Sequence, residues 1–268
     1  MRRYSPLCRS IATTVLCIGA AACHHSSSAI PTTTATANPA GIWTGTDAVS
    51  GLSLTGVIDA TGDSVFIRSD GTLFAGTLLI SEATVSGTLD GYSPLGTMFA
   101  DGTNFGLGTF GGSVVTATSI DANWNFTTVD SMTTNNMWSL AFDPLWHTAS
   151  SLTAIAGTYT DSESHSPTNG ATVTISATGA ISGTSATTGC VLSGQVTVNT
   201  PANDVYSISL SYASCTDAVL NGIHFTGRGI LNSSVTPAVV LTGVTGEATN
   251  QTNPNSIYFG LVMMLTAG

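Results

Sequence analysis

The sequence predicts an all-β protein made of two consecutive small antiparallel barrels, about eight strands each, after a secretion signal and a flexible tether. Three observations carry the prediction. Short segments rich in Thr, Ser, Gly, Val, Ala and Leu alternate in polarity and are broken by Gly, Asn and Asp, the pattern of antiparallel strands and tight turns. No stretch beyond the signal shows a convincing apolar stripe at helical spacing. The openings Gly41-Ile42-Trp43-Thr44-Gly45-Thr46 and Gly157-Thr158-Tyr159-Thr160 resemble each other, which suggests a unit of about 110 residues occurring twice. The seam falls near residues 144–151, giving an N-terminal domain over 39–150 and a C-terminal domain over 151–268. Each is expected to close its own core and to fold alone.

Residues 1–22 read as a signal peptide: Arg2 and Arg3 precede an apolar run, Ile11 to Ala22, that is too short to span a bilayer. Ala20-Ala21-Ala22-Cys23 resembles a bacterial lipobox, which implies cleavage before Cys23 and acyl chains such as palmitate on that residue. Ala20 stands where such boxes usually carry Leu, so ordinary cleavage after the alanines is the alternative. His24 replaces the Asp that retains such lipoproteins at the inner membrane, so the resemblance implies the outer membrane. From Cys23 to Asn38 the chain has no periodicity and too little apolar surface to order itself, and it reads as a tether. His24 and His25 are expected to be solvated there.

The composition excludes several chemistries. The 268 residues are 7% charged with a formal charge of −10, and no lysine occurs. There is therefore no P-loop lysine, Schiff base or Ser-Lys dyad. Loss of the signal leaves Arg68 and Arg228 against 15 acids, a charge of −13. Such a chain is a poor partner for nucleic acid or acidic headgroups, so membrane attachment is expected only through lipid.

In the first half, strand-like segments begin at Gly41, Ser53, Ser64, Gly71, Ala83, Gly112, Asn123 and Asn136. The second half has residues 171–178, 190–200, 204–215, 220–231, 238–246 and 256–265. Within 204–215, Tyr206, Ile208, Leu210 and Tyr212 alternate with Ser207, Ser209 and Ser211, so one face packs a core and the other is wet. The last segment interleaves Ile257, Phe259, Leu261, Met263 and Leu265 with Tyr258, Val262 and Met264, so both its faces require burial. The Gly-x-Trp opening also occurs in lipocalin-type barrels; a buried tryptophan near the start of any β-domain reads the same way.

Of five cysteines, Cys8 and Cys17 leave with the signal and Cys23 is the lipidation candidate. Cys190 and Cys215 flank one hairpin in an oxidising setting. A turn at Pro201-Ala202-Asn203 pairs Val198 with Tyr206 and Val196 with Ile208, which sets Cys190 opposite Ser214. A bulge or altered strand end then allows a disulfide between Cys190 and Cys215.

Taken in chain order, SSLTAIAGTYT (150–160), ATGAISG (177–183), TGCVLSGQVTV (188–198), DVYSISLSYASC (204–215) and LNGIHFTGRGIL (220–231) resemble proteobacterial lipoproteins and secreted proteins of unknown function. The likeness covers about 115 residues of the second half, and the first half only through GIWTGT and FDPLWHTASSL (142–152). It implies an exported β-barrel-like domain and supplies no catalytic residue. Two-barrel surface lipoproteins of pathogens are a looser architectural comparison.

The sequence carries few signatures of chemistry. No G-x-S-x-G elbow, HExxH, Walker or Rossmann string occurs, and no cofactor is expected. Asp161, Glu163 and His165 would share a face at about 7 Å intervals if extended, a weak metal candidate set against a polar loop tip. Arg228 and His224 share the polar face of one strand, where they offer an anion contact or simply balance nearby carboxylates. The expectation is a lipid-anchored, non-catalytic binding module whose protein or small-molecule ligand is not specified. An enzyme with an unrecognised site and a transmembrane barrel of about 16 strands remain alternatives.

Overall fold

The computed structural model describes residues 38–166, 168–247 and 258–268. The signal, Cys23 and the tether up to residue 37 lie outside them. Among the described residues, strands dominate and form two closed eight-stranded antiparallel barrels. The first comprises β1 (Gly41–Asp47), β2 (Ser53–Ile58), β3 (Asp63–Arg68), β4 (Leu73–Ser81), β5 (Thr84–Tyr92), β6 (Phe105–Val115), β7 (Ser119–Thr128) and β8 (Thr133–Asp143), and it closes by pairing β1 with β8. The second comprises β9 (Gly157–Asp161), β10 (Thr172–Ile175), β11 (Ala180–Thr184), β12 (Val191–Val198), β13 (Tyr206–Ala213), β14 (His224–Asn232), β15 (Val239–Glu247) and β16 (Tyr258–Ala267), with β16 pairing to β9. Among the described residues no helix is long and apolar enough to cross a membrane.

Alternation builds each interior. In β7, Ile120, Ala122, Trp124 and Phe126 point inward while Asp121, Asn123, Asn125 and Thr127 point out. The first core is aromatic: Trp124 and Trp138 pack with Phe74, ring centroids 4.6 and 5.0 Å away. The second is mostly aliphatic, from Val173, Leu192, Val196, Val240 and Leu261, with Tyr206 and Tyr212 among them. Polar exteriors around apolar interiors invert the sidedness of a membrane barrel, and the chain does not form a single 16-stranded cylinder.

Strand β6 departs from the sequence reading. The segment beginning at Gly112 straddles the β6–β7 turn, and the true strand begins at Phe105. Its glycines hide it. A Cβ on Gly108 would lie 1.9 Å from the Leu89 carbonyl oxygen, which accepts the Trp124 indole N–H at 2.7 Å, so buried packing excludes a side chain where the pattern needs one.

The β12–β13 register pairs Val198 with Tyr206 and Val196 with Ile208, as the turn implied. Ser214 takes φ +57°, which redirects the chain so that Cys215 meets Cys190 in a disulfide. Asn221 holds this corner: its Oδ1 accepts from the Cys215 amide at 2.7 Å and its Nδ2 donates to the Cys215 carbonyl at 3.3 Å.

The two barrels are not separate beads. Val65 and Leu73 on the outer face of β3 and β4 pack on Val262 of β16, so the two-sided apolar pattern of the last strand serves both its own core and its neighbour. Glycines permit the approach: a Cβ on Gly243 would meet Leu73 at 2.5 Å, and one on Gly260 would meet Tyr92 at 2.8 Å. Beside this, Trp146 of the connecting 3-10 turn (Pro144–His147) packs with Ile42, Val57, Val205 and Ile230. The β5–β6 loop also crosses over. Leu95 is 4% exposed within the second barrel's core cluster, its amide donates to Gly260 O at 3.1 Å, and Asn104 Nδ2 donates to Tyr258 O at 2.8 Å. Each half alone would expose this face, and the second would also lose Leu95 from its core.

Candidate functional site

Where β3, β4 and β5 diverge from β14 and β15, the seam opens into two adjoining clefts of about 290 and 390 Å³ that share Tyr92, Thr226 and Thr245. The first also reaches Asp63, Thr77, Asp90 and Arg228; the second reaches His224, Glu247 and Tyr258. Strand alternation sets His224, Thr226 and Arg228 on one outward face of β14, opposite in parity to the buried Phe225. On the facing barrel the same rule turns Asp90 and Tyr92 outward from β5 while Leu89 stays in the core.

Arg228 closes one end. Its Nη2 donates to Asp59 Oδ2 and Asp63 Oδ2, both at 2.8 Å, so the anions it meets are carboxylates of the other barrel. Burial alone would raise the Asp59 carboxyl, but hydrogen bonds from Thr61 and Arg228 outweigh it and hold that group below its ordinary range. His224 does not join Arg228 in this contact, since its Nδ1 lies 2.8 Å from Ser211 Oγ on the neighbouring strand.

Among the described residues Asp90 has no such cation. The Gly108 amide donates to its Oδ1 at 3.0 Å, and burial pushes its carboxyl above the ordinary range. Beside it, burial first and the Asp90 charge second raise the Tyr92 phenol well above its usual value. Phe105 packs between the two groove tyrosines, its centroid 5.2 Å from Tyr92 and 4.5 Å from Tyr258. The result is a polar, anionic groove with an aromatic side.

Asp161, Glu163 and His165 do not come together as ligands. Strand β9 ends at Asp161, whose carboxylate turns inward to accept from the Glu163 amide and from Thr168 Oγ1 at 2.9 Å. His165 Nδ1 instead meets Glu163 Oε1 at 3.0 Å in the following turn. Among the described residues no group of three His, Cys, Asp or Glu side chains is placed to hold a metal.

No family model and no curated protein matches this chain. The chemistry of the groove therefore has to be read from its own side chains. Asp90, Tyr92, Glu247 and Tyr258 escaped sequence reasoning because nothing local distinguishes an outward strand residue facing solvent from one facing a second barrel. The one legible hint was Arg228, the sole cation of its half.

Proposed function

We propose that this chain is a lipid-anchored cell-envelope protein, held to the outer membrane through Cys23, that binds a ligand in the inter-barrel groove without transforming it. The observation that carries the reading is the groove itself, where Tyr92 and Tyr258 share a cleft with Asp90, Glu247 and three outward β14 side chains. Both barrel interiors are filled by side chains, so the seam offers the concave surface that a calyx would offer in a hollow barrel. Hydroxylated exteriors agree with a lipid anchor rather than a span, and the resemblance to exported lipoproteins points to the same address.

Two measurements test this. Replacing Cys23 by Ala should move the protein from the membrane to the soluble fraction; retention in the membrane would sink the anchor. Native mass spectrometry of the protein recovered from envelope extract should show a bound molecule that Thr245→Trp, which fills the groove, displaces. A molecule retained by that variant would place the site elsewhere.

The enzymatic alternative draws on Asp90, a half-buried carboxyl displaced upward in a cleft. Turnover of a bound molecule by the parent protein, abolished by Asp90→Asn with binding kept, would establish it instead.

A further inference from the structure

We infer that the groove takes a linear alkylammonium ligand, a di- or polyamine lying along β14 with charged groups toward Asp90 and Glu247; this rests on the binding reading above and names its ligand class. Charge complementarity comes first. Asp63, Asp90 and Glu247 line the two clefts, while the one formal cation in their walls, Arg228, already spends Nη2 on Asp59 and Asp63. Among the described residues neither Asp90 nor Glu247 has an ion-pair partner. An ammonium beside Asp90 would supply the counter-charge that the Gly108 amide alone does not.

The aromatic side is the second observation. Tyr92 and Tyr258 both line the cleft around Glu247, and tyrosine rings attract ammonium groups through their quadrupole. Length is the third. His224 and Arg228 lie four residues apart on one strand, about 14 Å, which suits an extended chain of several methylenes and two or three nitrogens. The apolar methylenes would lie on Tyr92 and the threonine methyls, and the charge of −13 on the chain after the signal would concentrate such a cation at the surface. Anionic ligands are repelled by the same field. A neutral polyol would satisfy the threonines but leave Asp90 without a counter-charge.

The test is calorimetric titration of the full mature chain with spermidine, with maltotriose as the uncharged comparison, while NMR follows the Tyr92 and Tyr258 ring signals. Spermidine should bind more weakly as salt is raised. Asp90→Asn and Glu247→Gln should each weaken it about fivefold or more, Thr226→Arg should abolish it, and the exposed-turn control Glu82→Gln should leave it unchanged. Near-UV circular dichroism checks that each variant keeps its packed tryptophans. Binding of maltotriose but not spermidine, with ring shifts, overturns the amine class and leaves the groove reading standing. Spermidine binding that the groove variants leave untouched reveals diffuse attraction to an anionic chain and overturns the inference. Silence of both rings toward both probes overturns the inference and the groove reading together.

Discussion

Trp43 and Tyr159 occupy the third position of the opening strand of their barrels, and each donates to a carbonyl four residues upstream: Trp43 Nε1 to Pro39 O at 2.8 Å, Tyr159 OH to Ile155 O at 2.7 Å. The same strands end in matching carboxylates. Asp47 and Asp161 are both almost fully buried, and each accepts the amide two residues ahead. The barrels then diverge. Asp47 faces Arg68 Nη1 at 3.3 Å, and that guanidinium also grips Asp70 and lies over the Phe74 ring. Among the described residues Asp161 meets only hydroxyl and amide donors, Thr168 Oγ1 chief among them, and burial raises its carboxyl. One backbone solution has thus been completed with a cation in one barrel and with neutral donors in the other. The second barrel is left with carboxyls that burial raises above their ordinary range, and it carries a disulfide where the first has a core of tryptophans and phenylalanines.

The equivalence of the two aromatic pegs is tested most sharply by removing the larger. Trp43→Ala should cost about 3–5 kcal/mol in urea unfolding through the cavity it leaves. A cost near that of an exposed site would show that the peg does not close the first barrel.

The carboxylate contrast should appear in pH dependence. Burial pushes Asp204, whose Oδ2 accepts the Leu231 amide, up to about 7. The native state therefore holds a proton that the unfolded chain has released between about pH 4 and pH 7, so stability should fall through that window and level off above it. The size is on the order of 4 kcal/mol from Asp204 alone, with Asp161 adding the same sign. Asp204→Asn should flatten the slope; an unchanged slope would locate the titrating group elsewhere.

Replacing Cys190 and Cys215 together by Ala should cost about 2–4 kcal/mol. Native-state hydrogen exchange should show the loss in β12 to β14 and leave the tryptophan core of the first barrel protected, whereas equal loss in both would mean that the barrels unfold as one unit. Leu95→Ala is the complementary probe, expected to cost about 2–3 kcal/mol. Although Leu95 follows β5 of the first barrel, the loosened amides should belong to the second. The smallest effect is Tyr159→Phe, about 1–2 kcal/mol for a carbonyl left without its donor.

Much of the secondary structure was readable, since a period of two assigns faces without tertiary knowledge. Tyr206 to Tyr212 went inward and Ser207 to Ser211 outward as the pattern required, and one turn position set the register that delivers Cys190 to Cys215. Glycine defeated the reading in β6, where a missing side chain reflects a neighbour's indole rather than a break in the strand. The metal triad failed for a related reason: strand β9 stops at Asp161, so period-two spacing never extends to Glu163 and His165.

What the sequence determined by itself was therefore local: polarity alternation, turn residues and the pairing of cysteines across one hairpin, all encoded within about 25 residues and enforced by pleat geometry. The groove was decided only by tertiary structure. Arg228 and the carboxylates of Asp59 and Asp63 lie 169 and 165 residues apart, and Asn104 reaches Tyr258 across 154. Val65, Leu73 and Val262 alternate in their strands like any outward residues until Gly243 and Gly260 let two curved surfaces touch. Whether an outward side chain meets water or a second barrel depends on how the barrels dock, and that is set by shape and contact over many distant residues at once.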